Sequence, residues 1–275
     1  MTVRDIQRSR DNPNSCKDHH GRLRVAAATG TGEKGLMRAL ALFDAGADVV
    51  VVDTAHGHSQ GVLDTVRHVR SLSNTVQIIG GNVATGDGAR ALIDAGVDAV
   101  KVGIGPGSIC TTRMIAGVGV PQLTAILDAT AAARDAGVPV IADGGIKNTG
   151  DIVKCLAVGA DLVMLGSMLS GTRETPGKVI IDKETGKKVK RYNGMASKSA
   201  QKAWKGSYSS IEGVTSYVQY KGTVSKVIAE ITSNIRSGMS YSGSRDLEQL
   251  RSNAMFIRQT INSHTEGLPH IYNRK

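Results

Sequence analysis

A short phrase recurs four times along this chain, and it constrains the fold more than any other feature. It reads Asp-Ala-Gly-Ala-Asp at 44–48, Asp-Ala-Gly-Val-Asp at 94–98, Asp-Ala-Gly-Val-Pro at 135–139 and Val-Gly-Ala-Asp at 158–161. Each copy closes a stretch with apolar residues at helical spacing, supplies a glycine where the helix can end, and leads into an apolar run. The repeat predicts a chain built of similar strand–helix units.

The apolar runs predict strands at 22–27, 49–53, 76–79, 99–103, 138–142 and 162–166, with helices at about 33–45, 59–71, 86–95, 121–136 and 149–158. The runs are continuous rather than alternating, which is typical of a parallel sheet covered on both faces. Strand–helix alternation indicates an α/β fold, either a barrel or a doubly wound sheet. Polar residues and glycines follow the strand ends repeatedly, which favours a TIM (β/α)8-type barrel that apparently lacks its first two units.

The pattern changes after Gly171. Residues 178–192 predict a hairpin that turns at 184–187, and a polar stretch follows at 194–210. Two further helices are expected at about 223–237 and 245–260, while 265–275 has no clear pattern. We expect one domain over 1–275, with the hairpin and a flap inserted at about 172–221.

Composition narrows the class of protein. The charged fraction is 21%, no apolar stretch approaches the roughly 20 residues of a membrane span, and the N-terminus has no apolar signal core. Three cysteines without CxxC spacing argue against a disulfide framework or a zinc site and predict a cytoplasmic location. We therefore expect no membrane partner.

The net charge of +10 is concentrated in one segment. Residues 173–205 hold ten Lys or Arg against three Asp or Glu, and their only aromatic residues are Tyr192 and Trp204. Single-stranded nucleic acid is bound by basic strips with interleaved aromatic residues. A solvated hairpin near an anionic small-molecule site is the preferred interpretation, and nucleic acid is the alternative.

The loop at 103–113 reads Gly-Ile-Gly-Pro-Gly-Ser-Ile-Cys-Thr-Thr-Arg and directly follows a predicted strand. Its glycines allow the backbone to turn sharply and to present amides and carbonyls inward. Cys110 stands among hydroxyl residues and an arginine, a setting that favours a thiolate. The loop therefore predicts a nucleophilic cysteine at the C-terminal end of a strand, rather than a structural cysteine in a tight turn.

Four motifs together resemble the IMP dehydrogenase/GMP reductase family: the Cys110 loop and the segments at 143–146 (Asp-Gly-Gly-Ile), 166–169 (Gly-Ser-Met-Leu) and 192–195 (Tyr-Asn-Gly-Met). The resemblance runs from about residue 2 to residue 260. It implies a (β/α)8 barrel, usually tetrameric, that acts on a purine nucleotide with NAD or NADP. IMP, XMP or GMP is then the expected ligand.

The same resemblance implies roles for individual residues. Cys110 would attack C2 of the purine, and Thr112 and Glu212 match the pair that handles ammonia in the reductases. Asp53 and Asn82 match positions on the nicotinamide side, while the carbonyls of Gly105, Gly107 and Cys110 match potassium ligands. Positions that hold the phosphate, ribose and base are matched by Ser108, Asp143, Gly145, Gly166, Ser167, Tyr192, Gly194 and Met195, with Glu212 also near the base. The alternatives are a helix cap for Asp53 and a solvated loop acid for Glu212.

Two features bear on which reaction is expected. Only sixteen residues separate Met195 from Glu212 and none is arginine, a length that resembles the reductases. Ile109 and the stretches at 116–122, 166–167 and 236–239 look more like the dehydrogenases. We expect an IMP dehydrogenase-like enzyme that converts IMP, NAD and water to XMP and NADH. GMP reductase is the alternative, and a non-catalytic nucleotide-binding or split-enzyme subunit is a second one.

The ends of the chain depart from the family pattern. Residues 2–6 resemble the point where the family's chain re-enters the barrel after its CBS insert, so the first two strand–helix units are expected to be absent. A complementing N-terminal chain or a homotetramer would then complete the enzyme. The family's C-terminal Glu-Ser-His reads Asn262-Ser263-His264, which weakens the case for potassium.

Overall fold

Six strands form one parallel sheet in the computed structural model, which describes residues 2, 6–7, 10–208 and 210–269. They are β1 (Ala26–Thr29), β2 (Val49–Asp53), β3 (Gln77–Val83), β4 (Ala99–Val102), β5 (Val140–Asp143) and β6 (Leu162–Met164). Each strand pairs with the next one along the chain, so the order in the sheet is the order in sequence. A doubly wound sheet reverses that order at a switch point, whereas a barrel does not. The predicted α/β class and barrel-type topology are therefore confirmed.

Helices connect the strands at close to the predicted positions. Those that match a prediction are α1 (Gly32–Asp44), α2 (Gln60–Leu72), α3 (Gly86–Ala95), α5 (Gln122–Arg134) and α6 (Thr149–Ala157). The short helix α4 (Thr112–Ile115) was not predicted. The core lies between the helices and the sheet, and Val50, Val52, Val100 and Val102 are fully buried in it. All four residues of β4 are buried, as expected for a central strand covered on both faces.

The first strand begins at Ala26, so the prediction of 22–27 was wrong at both ends. Residues 22–25 are exposed because this part of the chain folds back on itself. The carboxylate of Asp18 accepts the backbone N–H of Arg22 at 2.8 Å and its guanidinium at 2.7 Å. Leu23 pairs with Lys17 in an isolated antiparallel bridge. Residues 22–24 thus pair with residues 16–18 in a local turn before the sheet begins.

A second, antiparallel sheet contains the predicted hairpin. It comprises β7 (Ile180–Ile181), β8 (Lys188–Asn193) and β9 (Thr215–Gln219), in that order. The hairpin turn is closed by the N–H of Asp182, which donates to the Lys187 carbonyl at 2.9 Å. Lys190 is buried and donates to the carbonyls of Thr172 and Thr175, so part of the basic segment is structural rather than solvated.

The C-terminal half contains four further helices, α7 (Lys198–Lys205), α8 (Val224–Tyr241), α9 (Leu247–Asn253) and α10 (Ile261–Glu266). The predicted helix at 245–260 is therefore too long. It ends where the Asn253 amide donates to the carbonyls of Ser242 and Gly243, and Ala254 is extended. Helices α7 and α10 lie in stretches for which no regular structure was predicted. None of the helices within the described ranges is both long and apolar enough to cross a membrane.

Candidate active site

Two adjoining cavities meet at Cys110, beyond the C-terminal ends of the parallel strands. We call the cavity of about 450 Å³ on the β5 and β6 side the inner cavity, and the cavity of about 670 Å³ on the β2 and β3 side the outer cavity. The residues that line both are Pro106, Gly107, Cys110, Asp143, Gly144, Met195, Ala196 and Glu212. A thiol at this junction can react with a group held in one cavity while a second group occupies the other.

The structure brings the residues singled out from the sequence together at these cavities. All eight residues predicted to hold the nucleotide line the inner cavity: Ser108, Asp143, Gly145, Gly166, Ser167, Tyr192, Gly194 and Met195. Asp53, Asn82, Gly105, Gly107 and Thr112 line the outer cavity. Asp53 does not cap the following helix, because the N-cap of α2 is Ser59.

The Cys110 loop is joined by its backbone to the segment that carries Glu212. The N–H of Thr111 donates to the Glu212 carbonyl at 3.0 Å, and the N–H of Val214 donates to the Ile109 carbonyl at 3.0 Å. Within the loop, the N–H of Cys110 donates to the Gly107 carbonyl at 3.1 Å. These bonds fix the thiol and the Glu212 carboxylate relative to each other, although the two residues are far apart in sequence.

A line of hydrogen bonds links the thiol to that carboxylate. Sγ of Cys110 lies 3.2 Å from Oγ1 of Thr112, and that hydroxyl lies 2.7 Å from Oε2 of Glu212. A threonine hydroxyl has one proton, so when it donates to the carboxylate it can accept the thiol proton. Glu212 is half-buried rather than a solvated loop acid. The arrangement can move a proton between the sulfur and the carboxylate, and we call it the Cys110–Thr112–Glu212 relay.

Lys101 is a site residue that sequence reasoning missed. Its side chain is 5% exposed, and its ammonium lies 2.6 Å from Oδ2 of Asp143 and 3.0 Å from Oδ1 of Asp53. The amide of Asn82 donates to the same Asp143 oxygen at 3.0 Å. The available signal was a lysine in the middle of an apolar strand, since a buried lysine needs carboxylate or carbonyl partners.

The glycine at 166 makes room for a tyrosine hydroxyl. A Cβ atom at Gly166 would lie 2.9 Å from the hydroxyl oxygen of Tyr192, so any side chain there would displace the tyrosine. The inner cavity is also lined by Lys147, which directly follows the 143–146 motif and was not predicted. A cation beside glycine-rich loops is suited to a phosphate group.

The outer cavity fits a nicotinamide group. Asn82 is buried, and its Oδ1 atom has no hydrogen-bond partner among the described residues, so an acceptor there is left unsatisfied. A carboxamide N–H is the kind of donor that this oxygen lacks. Asp53, whose side chain is 46% exposed, adds a carboxylate at the mouth of the same cavity. Asn82 and Asp53 would hold the group, and this role stays a prediction.

The potassium site stays a prediction. The carbonyl of Gly107 already accepts the Cys110 N–H, and Ser263 and His264 lie in helix α10, where the Ser263 carbonyl accepts the Gly267 N–H. The carbonyls of Gly105 and Cys110 remain the other two ligands of the prediction. No step below is assigned to the ion.

Comparisons with known proteins identify the family of the chain. The family model described as IMP dehydrogenase / GMP reductase domain matches residues 1–270. Inosine-5'-monophosphate dehydrogenase from Aquifex aeolicus is 50% identical over 98% of this chain and 56% of its own length. The Rhizobium tropici protein of the same name is 51% identical over 94% of this chain and 54% of its own length. The chain thus spans about half the length of these curated relatives.

A solved structure is also similar. It is a cysteine-to-alanine variant of GMP reductase from Trypanosoma brucei in complex with guanosine 5'-monophosphate. It superimposes with a TM-score of 0.93 at 44% identity, over 98% of this chain and 57% of that one. At this identity the likeness extends beyond the fold to the family, but the relatives carry the names of two different reactions.

Proposed function

Because the chain belongs to the IMP dehydrogenase/GMP reductase family, we propose that it is a nicotinamide-dependent oxidoreductase of purine nucleotides that acts as a GMP reductase. The observation that carries the proposal is the hydrogen bond of 2.7 Å between Thr112 and Glu212 beside the Cys110 thiol. The sequence alone favoured the dehydrogenase reaction. The relay favours the reductase because ammonia can leave only when a proton is delivered to it.

The relay supplies a balanced first step. The thiol proton of Cys110 passes through the Thr112 hydroxyl to Glu212, and the sulfur adds to C2 of GMP. Glu212 returns the proton through Thr112 to the 2-amino group, so that the C2–N bond breaks and ammonia leaves. One S–C2 bond has formed, and one thiol proton has become part of ammonia. A covalent adduct between Cys110 and the purine remains.

A reduced nicotinamide in the outer cavity would supply the hydride to C2, which expels the Cys110 sulfur and gives IMP. Cys110 stands where the two cavities meet, so the adduct would lie within reach of both. Asn82 and Asp53 would orient the cofactor.

Asp143 is suited to the ribose of the nucleotide. Lys101 and Asn82 both bind its Oδ2 atom, and the described residues provide no hydrogen bond to Oδ1. Oδ1 is therefore available to accept a ribose hydroxyl, and a charged acceptor makes that bond stronger. Ser108, Gly145, Gly166, Ser167 and Tyr192 would surround the phosphate.

The dehydrogenase reaction is the second candidate, favoured by the identity of 50–51% to two proteins named inosine-5'-monophosphate dehydrogenase. There, water rather than ammonia must react with the adduct, and a base must accept the proton of that water. Residues 196–211 contain no arginine, so the base in this chain would again be Glu212 acting through Thr112. In that reaction the relay would activate water instead of delivering a proton to ammonia.

The deciding experiment supplies GMP with NADPH and, separately, IMP with NAD, and follows absorbance at 340 nm together with ammonia. We expect consumption of NADPH and release of ammonia with GMP. Cys110→Ala should abolish both while leaving GMP binding measurable, and Cys16→Ala is the matched control. NADH production from IMP without ammonia release from GMP would establish the dehydrogenase instead.

GMP binding without turnover, and without a covalent adduct on Cys110, would leave the non-catalytic nucleotide-binding subunit as the function.

A homotetramer and a complementing N-terminal chain are both proposed as assemblies, and light scattering separates them. The cysteines Cys16, Cys110 and Cys155 are all free, which supports the proposed cytoplasmic location.

A further inference from the structure

The segment between the two site residues Met195 and Glu212 is closed by a single side chain. Gln201, on helix α7, is 5% exposed, and its Nε2 atom donates to the carbonyl of Ala196 at 3.0 Å and to that of Ser210 at 2.9 Å. An amide NH2 has two protons, and both find an acceptor here. One buried amide thus joins the two ends of the flap, which we define as residues 196–210.

The bond to Ser210 reaches the catalytic carboxylate. The hydroxyl of Ser210 donates to Oε1 of Glu212 at 3.2 Å, while Thr112 donates to Oε2 at 2.7 Å. The two oxygens of Glu212 are therefore held by different hydroxyls, one on the flap and one on the Cys110 loop. A carboxylate held at both oxygens cannot rotate away from Thr112 without breaking a hydrogen bond.

The flap is also anchored at its start. Ser197 caps helix α7 by accepting the N–H of Ala200 at 3.3 Å, and its backbone forms an isolated bridge with Gly213. The start and the end of the flap therefore lie beside the segment that bears Glu212. Gln201 is the only side chain in the described part of the flap that we find bonded to both ends.

We propose that Gln201 is a positioning residue that holds Glu212 in the Cys110–Thr112–Glu212 relay, and that it acts through Ser210. Gln201 does not touch the reacting atoms. It fixes the backbone of Ser210, whose hydroxyl fixes one oxygen of Glu212, so that the other oxygen meets Thr112. This inference rests on the relay of the proposed function.

The test measures the relay without substrate. Iodoacetamide reacts with thiolates, so the alkylation rate of Cys110 reports how readily its proton is removed. Cys16 is exposed and lies outside the site, and it serves as an internal standard in peptide mass spectrometry of the same sample. Glu212→Gln sets the benchmark for a relay without its base, with an expected slowing of roughly tenfold.

We expect Gln201→Leu to slow Cys110 alkylation to nearly the Glu212→Gln rate and to leave Cys16 unchanged. Ser210→Ala, which disturbs nothing buried, should slow it by roughly threefold. Gln201→Lys should keep much of the wild-type rate of Cys110 alkylation. An ammonium can donate to two carbonyls, as Lys190 does to those of Thr172 and Thr175. Gln60→Leu, at an exposed glutamine of α2, is the matched control and should react like the wild type.

If Cys110 is alkylated at the wild-type rate in Gln201→Leu but slowly in Glu212→Gln, the inference is overturned and the relay stands. So would an unchanged Ser210→Ala together with failure of Gln201→Lys to restore the rate, since Gln201 would then act by packing alone. An unchanged rate in Glu212→Gln would overturn both this inference and the relay. Absence of turnover with GMP, with the expected alkylation pattern present, would overturn the proposed function but not the role of Gln201.

Discussion

The ammonium of Lys101 lies 2.6 Å from Oδ2 of Asp143, at the point where the inner and outer cavities adjoin. The same ammonium lies 3.0 Å from Asp53, so one cation joins carboxylates from strands β2 and β5. It fits there because β3 carries a glycine beside it: a Cβ atom at Gly81 would lie 2.7 Å from the Lys101 Cβ. Asp143, which is expected to bind the nucleotide, and Asp53, which is expected to bind the cofactor, are thus paired with the same buried lysine.

Lys101→Met should destabilise the protein and loosen both ligand sites. Asp53 and Asp143 would lose their shared counter-ion, and we expect the free energy of unfolding to fall by about 2–4 kcal/mol, near the cost of breaking a buried ion pair. Urea denaturation measures this loss. The double variant Lys101→Met/Asp53→Asn should recover part of the lost free energy of unfolding, because it also removes the unpaired charge of Asp53. Equal stability of Lys101→Met and the wild type would contradict a structural ion pair.

Thr112→Val should impair chemistry far more than binding. The variant keeps the shape of the side chain but breaks the path between Cys110 and Glu212, and we expect kcat for GMP reduction to fall by about 100- to 1,000-fold. The KM for GMP should change little. Thr112→Ser retains the hydroxyl and should keep most of the rate. Thr111→Val is the matched control, because the Thr111 side chain makes no capping hydrogen bond. A higher KM with an unchanged kcat would argue against the relay.

Gly166→Ala should weaken nucleotide binding through Tyr192. The new Cβ would meet the tyrosine hydroxyl at 2.9 Å, and we expect the dissociation constant for GMP to rise by about tenfold, equivalent to about 1.4 kcal/mol. Isothermal titration calorimetry measures this change. Gly61→Ala is the control, since a Cβ atom there meets nothing within 4 Å. In Tyr192→Phe the hydroxyl is absent, so adding Gly166→Ala to that variant should raise the dissociation constant for GMP little further.

Much of the fold could be predicted from the sequence because the repeat sets it locally. Strand β2 and helix α3 have the predicted bounds, 49–53 and 86–95, since an apolar run and a terminal glycine mark them. Strand β1 was misplaced because residues 22–24 pair back with residues 16–18, while the N–H of Val25 donates to the Asp48 carboxylate. Helix α7 was missed although Ser197 is a local N-cap signal, and only the bond from Gln201 to the Ser210 carbonyl depends on the folded flap.

The site was predictable where motifs are contiguous and not where it depends on folding. Cys110 stands in an unmistakable glycine loop, and the residues that line the inner cavity follow strand ends. Thr112 and Glu212 are 100 positions apart and could be paired beforehand only through the family resemblance, because their hydrogen bond depends on the pairing of two backbone segments. Lys101 and Gln201 carry no motif. The partners of Lys101 are carboxylates on distant strands, and those of Gln201 are carbonyls that the folding of the flap brings near.

The two non-catalytic cysteines should differ in reactivity and in their effect on stability. Burial, assisted by the negative charge of Asp151, raises the pKa of the Cys155 thiol from 9.0 to about 11. At pH 8 iodoacetamide should therefore label Cys16 but not Cys155 in the folded protein.

The unfolded chain releases the Cys155 thiol proton at lower pH than the folded chain does. The stability that the protonated thiol contributes is therefore complete below pH 9 and is lost between about pH 9 and 11. Urea denaturation of the wild type and of Cys155→Ala isolates this contribution: their difference in unfolding free energy should be constant below pH 9 and shrink above it. A difference that stays constant through pH 10 would show that the thiol does not titrate as its burial requires.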